Sequence, residues 1–179
     1  ETGDHELAVN AYSYRSKILY SKEDYDSVII VDRICSDILM SEFKDTVNAA
    51  IVLASSISSF VDMEEYSKAK PLMEFYEKYS NLFDEKGNVK KGKESYYIDK
   101  GDMYRGLDSL DSAETYYRKA ICASDWNNKT MGYYGLMETF KAKGDKDSIV
   151  KYSMLTCTAY SNLFDELQTN TVQQVEGTY

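Results

Sequence analysis

GDMYRGLDSLDSAETYYRKAI, at residues 101–121, is the stretch that decides the fold. Small residues stand at Gly101, Ala113 and Ala120, where two short helices folded back on each other would touch. Tyr104 and Tyr117 lie at positions that fill the gaps between such helices. The stretch therefore predicts a helical hairpin that forms one unit of a repeat.

The spacing of these residues resembles the Gly/Ala, Tyr/Phe, Ala, Tyr/Phe, Ala pattern of the tetratricopeptide repeat. This resemblance implies an all-α fold in which about four helix pairs stack into an α-α superhelical solenoid. It also implies that the first helices of the pairs line a concave face, which in such proteins binds protein or peptide ligands.

The same pattern recurs, more faintly, along the rest of the chain. Units predicted at about 9–40, 46–83, 94–124 and 130–160 make a single solenoid over residues 5–166, closed by a polar-faced capping helix at 163–176. With Val28, Ala69, Ala113 and Ile149 as equivalent positions, the unit spacings are 41, 44 and 36 residues. They exceed the usual period of about 34, and the excess falls in the turns. Residues 1–3 and Gly177-Thr178 are interpreted as cloning remnants.

An identical heptapeptide, YSNLFDE, occurs at residues 79–85 and again at 160–166. It predicts that the second and fourth units end in the same way, and that the units form two pairs at 9–85 and 94–166. Duplication explains the identity, and so does a shared packing need. The polar residues 84–93 are the predicted linker, with a basic contact site as the alternative interpretation of their lysines.

Composition limits the partners. The formal charge is −9, from 21 Lys and Arg against 30 Asp and Glu, which disfavours nucleic acid and anionic membrane surfaces. No apolar run is long enough to span a membrane, so no direct membrane insertion of this segment is expected. Cys35, Cys122 and Cys157 form no CxxC pair, and we predict that all three are buried free thiols.

The chain offers no catalytic constellation. His5 is the only histidine, so neither a Ser-His-Asp or Cys-His site nor a His-rich metal site can be built. No Walker loop and no GxGxxG motif is present. We therefore expect no enzyme activity, no cofactor and no metal.

The repeat register predicts which residues line the concave groove. Its mixture of apolar and charged side chains suits an extended peptide with apolar anchors. The predicted binding residues are Lys17, Tyr20, Ser58, Val61, Ile98, Asp102, Arg105, Tyr134, Glu138 and Lys141. In the alternative interpretation, Ile51, Ile98 and Met131 belong to the core and the register is shifted by one residue.

Two features narrow the expected partner and setting. Repeats of this family that hold chaperone C-termini carry a Lys/Asn clamp, and Ser13, Lys17, Ala54 and Ser58 at the matching places do not form one. The turn style, the many tyrosines and the C-terminal ELQTNTVQQVE stretch resemble the extracytoplasmic repeat domains of membrane-anchored Bacteroidetes regulators. That resemblance implies a periplasmic, cell-surface or secreted location, with a cytoplasmic one left open.

The Bacteroidetes resemblance also implies O-glycosylation at Asp-Ser/Thr-aliphatic sites, for which helix capping is the alternative explanation. These sites begin at Asp26, Asp45, Asp111 and Asp147. The predicted function is a non-catalytic module that binds a protein or peptide and senses or signals as part of a larger bacterial protein. The alternative is a structural scaffold that forms a homo-oligomer.

Overall fold

The computed structural model describes the backbone of residues 2–176 and the side chains of residues 7–174. Glu1 and the suggested remnant at Gly177-Thr178 lie outside the described residues. Within them every regular element is an α-helix, which confirms the all-α fold class. The chain divides into two compact units, Glu1–Lys90 and Lys91–Tyr179.

Unit 1 contains five helices, of which the first begins at Thr2. They are α1 (Thr2–Tyr20), α2 (Tyr25–Ser41), α3 (Thr46–Ile51), α4 (Ala54–Asp62) and α5 (Tyr66–Tyr79). Helix α2 packs against α1, α3 and α4, and α5 packs against α3 and α4. The predicted unit at 46–83 thus begins with two short helices, α3 and α4, which are separated at Val52 and Leu53.

Unit 2 contains four helices, each of which packs against its neighbours in the chain. They are α6 (Ser95–Gly106), α7 (Leu110–Ala120), α8 (Trp126–Lys143) and α9 (Lys146–Glu176). Helix α8 also contacts α6. The core of this unit includes Ala113, Tyr117, Ala120 and Leu136, none of which is exposed to solvent.

One type of turn joins the helices of each hairpin. A residue in the left-handed region follows the first helix, with φ of 59° at Glu23, 58° at Glu64, 57° at Asp108 and 74° at Gly144. The amide of the next residue donates to the carbonyl five residues earlier, as Asp145 N does to Phe140 O at 3.1 Å. This is the Schellman arrangement, and it gives each hairpin a fixed point from which equivalent residues can be counted.

The same turns place the helix caps two residues earlier than predicted for α2 and α7. Asp24, not Asp26, caps α2 and accepts from Ser27 N at 3.3 Å. Ser109, not Asp111, stands at the cap of α7. Asp26 and Asp111 instead lie in the first helical turn, where a negative charge is favoured by the helix dipole.

The separate polar capping helix predicted at 163–176 is not what the structure has. These residues continue α9 without a break. Their surface is not uniformly polar either, because Phe164, Leu167 and Val172 are more than half exposed.

The repeated YSNLFDE heptapeptide adopts two different conformations, so the prediction that both units end alike was wrong. At residues 79–85 the helix stops, with Asn81 in the left-handed region at φ 56° and Phe83 packed edge-on against Tyr76 at 5.8 Å. Asp84 then accepts from the amides of Lys86 and Asn88, which closes a turn that contains Gly87. At 160–166 the same residues stay inside α9, where no glycine follows before residue 177.

The prediction of buried thiols holds for one cysteine of three. Cys35 is buried and free, and burial raises its pKa to about 11. Cys122 and Cys157 are free but exposed. Cys122 lies in the turn after α7, and Cys157 lies on the exposed side of α9.

Candidate functional site

The predicted groove residues of unit 1 do not form one surface. Tyr20 Oη donates to Asp62 Oδ2 at 2.6 Å, which joins the ends of α1 and α4. Lys17 is exposed, and Ser58 Oγ donates to the carbonyl of Ala54 in its own helix at 3.3 Å. Val61 is only 4% exposed, so it belongs to the core and cannot contact a ligand.

The alternative interpretation, which assigns Ile51, Ile98 and Met131 to the core, agrees with the structure at only some of these positions. Ile98 is buried, which corrects its assignment to the groove. Met131 and Tyr134 are 39% and 43% exposed on α8, so Met131 is not a core residue. Ile51 of unit 1 is half-buried.

The charged groove residues of unit 2 serve internal contacts. Tyr117 Oη donates to Asp102 Oδ1 at 2.7 Å, and Arg105 Nε donates to Tyr117 Oη at 3.2 Å. Glu138 pairs with Lys141 on the same helix at 3.5 Å. Asp102 and Arg105 therefore form hydrogen bonds with the hydroxyl group of a core tyrosine, so these bonds are not available to a ligand.

Tyr117 is the centre of the unit 2 core and is fully buried. Its ring lies directly on two helices that present glycine: a Cβ at Gly101 would be 2.5 Å from Tyr117 Cε1, and one at Gly135 would overlap the same ring. Burial, and then the charge of Asp102, raise the pKa of Tyr117. The phenol therefore stays protonated and donates to Asp102, and this region leaves no space for a ligand.

The open site lies in unit 1, where the sequence analysis had not placed one. A cleft of about 460 Å³ opens between α2, α4 and α5. This size falls in the range of small-molecule and side-chain pockets, about 300–1,000 Å³. Its apolar lining is formed by Ile29, Leu53, Phe60, Pro71 and Leu72, and its polar lining by Arg33, Ser36, Asp37, Ser56, Ser67 and Lys68.

Buried polar residues of α2 hold α3 and α4 in place at the cleft, which Ser36 and Ser56 line. The carboxylate of Asp32, 2% exposed, accepts from Ser56 N at 2.8 Å and from Ser56 Oγ at 2.7 Å. One turn further along, Ser36 Oγ donates to the carbonyl of Ala49 at 3.0 Å. Asp32 thus satisfies an amide in the first turn of α4, and Ser36 a carbonyl near the end of α3. These two bonds stabilise the helix break at Leu53.

Two cations lie at the rim of the cleft. Lys68 Nζ is 2.6 Å from Glu65 and 5.7 Å from the centre of the Phe60 ring. Arg33 is exposed and has no ion pair or hydrogen bond with any residue that the structure describes. An anionic group bound at the mouth would therefore meet a guanidinium that forms no ion pair, beside an apolar wall, although Asp37, one turn further along α2, also lines the cleft.

Unit 1 has smaller residues than unit 2 at two equivalent positions, and one of them, Ser36, lines the cleft. Counted from the turn residues Glu23 and Asp108, Asp32 is equivalent to Tyr117 and Ser36 to Ile121. The signal available in the sequence was this pair of polar residues, one helical turn apart, on the otherwise apolar face of α2. It was missed because Asp32 was taken as part of an apolar run.

The described residues contain no cluster of three or more His, Cys, Asp or Glu side chains that could hold a metal ion. None of the helices, as far as the structure describes them, combines the length and the apolar character that a bilayer crossing requires.

Comparison with known proteins finds no matching family model, no similar curated protein and no similar solved structure. The resemblance to tetratricopeptide repeats thus rests on the sequence of this chain alone.

Proposed function

We propose that this chain is a non-catalytic helical-repeat module of tetratricopeptide type that binds a protein or peptide. The observation that supports the proposal best is the cleft of about 460 Å³ in unit 1, with its apolar wall and unpaired Arg33. Helix-lined grooves of this kind take one apolar side chain of a peptide as an anchor and use a few polar contacts for specificity.

The ligand class follows from the lining. Ile29, Phe60 and Leu72 offer a surface for a bulky apolar side chain. Arg33 offers a bidentate partner for a carboxylate, and unlike Lys68 it forms no ion pair with a described residue that a ligand would have to displace. The preferred ligand is a peptide segment with a large apolar residue close to an Asp or Glu.

A displayed library of random peptides, panned against the whole chain, tests this directly. Selected peptides are then synthesised and their affinities measured by fluorescence anisotropy. We expect the winners to combine an aromatic or aliphatic residue with a nearby acidic one. Arg33→Glu should weaken their binding by about tenfold or more, equivalent to about 1.4 kcal/mol.

Two further variants locate the site. Ser67→Phe places bulk in the cleft mouth from an exposed lining position, and it should also abolish binding. Tyr134→Ala with Lys141→Glu changes exposed residues of the groove predicted from the sequence and should leave binding unchanged. The opposite result, loss with the second pair only, would move the site to that groove. Failure to enrich any peptide would overturn the binding function.

The alternative role of an oligomerising scaffold is favoured by a different observation. The first and last helices expose apolar side chains, among them Tyr14 and Ile18 on α1 and Val150 and Met154 on α9. We further propose a periplasmic or cell-surface location within a larger bacterial signalling protein, supported by the sequence features shared with Bacteroidetes repeat domains. Fractionation of cells that produce the tagged full-length product tests the location.

A further inference from the structure

Two exposed helix faces at the beginning and the end of the chain resemble the two sides of a contact that the chain already makes. On α1 this face includes Tyr14, 68% exposed, and on α9 it includes Met154, 67% exposed. We propose that α9 of one copy binds α1 of a second copy, in the way that α7 binds α8 within unit 2. The chain would then associate head to tail.

The contact between α7 and α8 provides the template. It brings a large side chain onto a glycine, a medium one onto a second glycine, and a carboxylate within 2.7 Å of an ammonium group. The three pairs are Tyr117 with Gly135, Ile121 with Gly132, and Asp111 with Lys143.

Helix α9 repeats the α7 side of this contact. The turn residues Asp108 and Gly144 are 36 positions apart, and each precedes the second helix of its hairpin. With that offset, Tyr117, Ile121 and Asp111 correspond to residues of α9 that no later helix of the described chain covers. These are Ser153, Cys157 and Asp147, of which the last two are exposed.

Helix α1 repeats the α8 side. The turn residues Glu23 and Gly144 are 121 positions apart, and each follows the first helix of its hairpin. With this offset, Gly135, Gly132 and Lys143 correspond to Tyr14, Ala11 and Lys22. All three are exposed.

The corresponding residues are complementary in size and in charge. In the template, Tyr117 packs on Gly135. In the proposed contact, Tyr14 of α1 packs on Ser153 of α9, so the large side chain lies on the opposite helix of the pair. In the template, Ile121 packs on Gly132. In the proposed contact, Cys157 packs on Ala11, and both of these residues are small enough for the helices to approach closely. The third pair keeps its opposite charges, Asp147 with Lys22, although Glu114, the other partner of Lys143 at 2.7 Å, is replaced by Val150. Within the described residues neither Asp147 nor Lys22 forms an ion pair.

A second copy fits this arrangement because it offers both halves of the contact. A head-to-tail contact leaves one α1 face and one α9 face unused in every complex, so growth continues beyond the dimer unless the geometry closes a ring. An isologous contact, by contrast, would stop at two copies.

A mixing experiment separates these possibilities. Tyr14→Asp blocks the α1 face and Cys157→Asp blocks the α9 face, and both positions are exposed. By sedimentation velocity, the average mass of the parent should rise with concentration beyond that of a dimer. Each variant alone should remain monomeric, with its self-association weakened at least tenfold. An equal mixture should form a 1:1 complex and grow no further.

Several outcomes would overturn the proposal. One is a parent whose average mass does not change with concentration. This result would mean that the two faces stay exposed, or that α1 and α9 of the same copy contact each other. Another is a Tyr14→Asp variant that still self-associates as the parent does, which would indicate pairing of α9 with α9. Circular dichroism of both variants distinguishes a blocked face from a failure to fold.

A disulfide trap tests the register of the contact. In a Cys122→Ser background, Ala11→Cys should crosslink to Cys157 of a second copy under a mild thiol oxidant. In the template, the equivalent Gly132 and Ile121 approach closely enough for such a bond: a Cβ at Gly132 would be 2.7 Å from Ile121 Cγ2. Lys17→Cys, on another side of α1, is the matched control. Equal crosslinking of both, or a parent dimer linked through Cys157 alone, would contradict the register.

Discussion

In unit 2 the second helix of a hairpin presents Tyr117 to its neighbours, and in unit 1 the equivalent position holds Asp32. Both side chains are buried and both accept or donate across a helix interface. Tyr117 fills the space between α6, α7 and α8, whereas the smaller Asp32 binds the first turn of α4 through Ser56, which lines the cleft of about 460 Å³. The equivalent hairpin position thus closes a core in one unit, and in the other it holds a helix whose Ser56 lines a pocket.

The difference extends to the neighbours of each side chain. Tyr117 requires glycine on both adjoining helices, because a Cβ at either Gly101 or Gly135 would overlap its ring. Asp32 requires hydrogen-bond donors, which Ser56 supplies from the first turn of α4. The partner residues thus differ between the two hairpins together with the central residue, and a substitution of the central residue alone should be costly.

The largest effect is expected from Tyr117→Ala. It removes a fully buried aromatic side chain and leaves Asp102 and Arg105 without their phenol partner. Such truncations cost about 3–5 kcal/mol. Urea unfolding followed by circular dichroism measures the loss, and hydrogen exchange should show that it is concentrated in unit 2.

The matched control is Tyr134→Ala on α8, since Tyr134 is 43% exposed. Its cost should be a small fraction of that of Tyr117→Ala. Equal costs would mean that Tyr117 is not the centre of this core.

The hairpins were predictable because their signal is local, whereas the joints between hairpins depend on pairs of residues far apart in sequence. Gly101, Ala113 and Tyr117 lie within one repeat and predicted its hairpin. The match of Asp32 to Ser56 spans 24 positions, and it appears only once α2 and α4 are packed together. The cleft was therefore missed, while the all-α fold class was predicted correctly.

The conformation of each YSNLFDE copy also depends on residues outside the heptapeptide. The two copies are identical, yet one ends a helix and the other continues one. The copy at 79–85 is followed by Lys86-Gly87-Asn88, whose amides bond to Asp84. A heptapeptide compared by itself could not show this difference, because the residues that decide it come afterwards.

The second largest effect is expected from Gly135→Ala. The added methyl group must displace the Tyr117 ring, which is itself enclosed by Gly101. Overpacking of this kind costs about 1–3 kcal/mol. The free energy of unfolding from urea titration measures it.

A double-mutant cycle with Tyr117→Ala tests the cause. If the ring is what the methyl group displaces, Gly135→Ala should cost nothing in the Tyr117→Ala background, or even stabilise the helix. The same cost in both backgrounds would show that the penalty does not come from this contact. In unit 1 the equivalent of Gly135 is Ser55, which already carries a Cβ, consistent with the smaller Asp32.

The smallest effect is a change in the pH dependence of stability on Asp32→Asn. Burial raises the pKa of Asp32 above its ordinary value of 3.8, although its hydrogen bonds with serine act in the opposite direction. The folded chain thus holds this proton more tightly than the unfolded chain. The stabilisation is complete below the unfolded pKa and is lost as the pH rises through the folded pKa. Cys35, with a pKa of about 11, does not titrate in this range.

An amide at position 32 can still accept from Ser56 N but cannot lose a proton. The parent should therefore lose stability relative to Asp32→Asn as the pH is raised from acid towards neutral, which thermal unfolding at a series of pH values measures. Asp26→Asn, on the exposed side of the same helix, is the control. A difference that stays constant with pH, or one that the control reproduces, would show that the carboxylate of Asp32 does not carry the burial cost that distinguishes it from Tyr117.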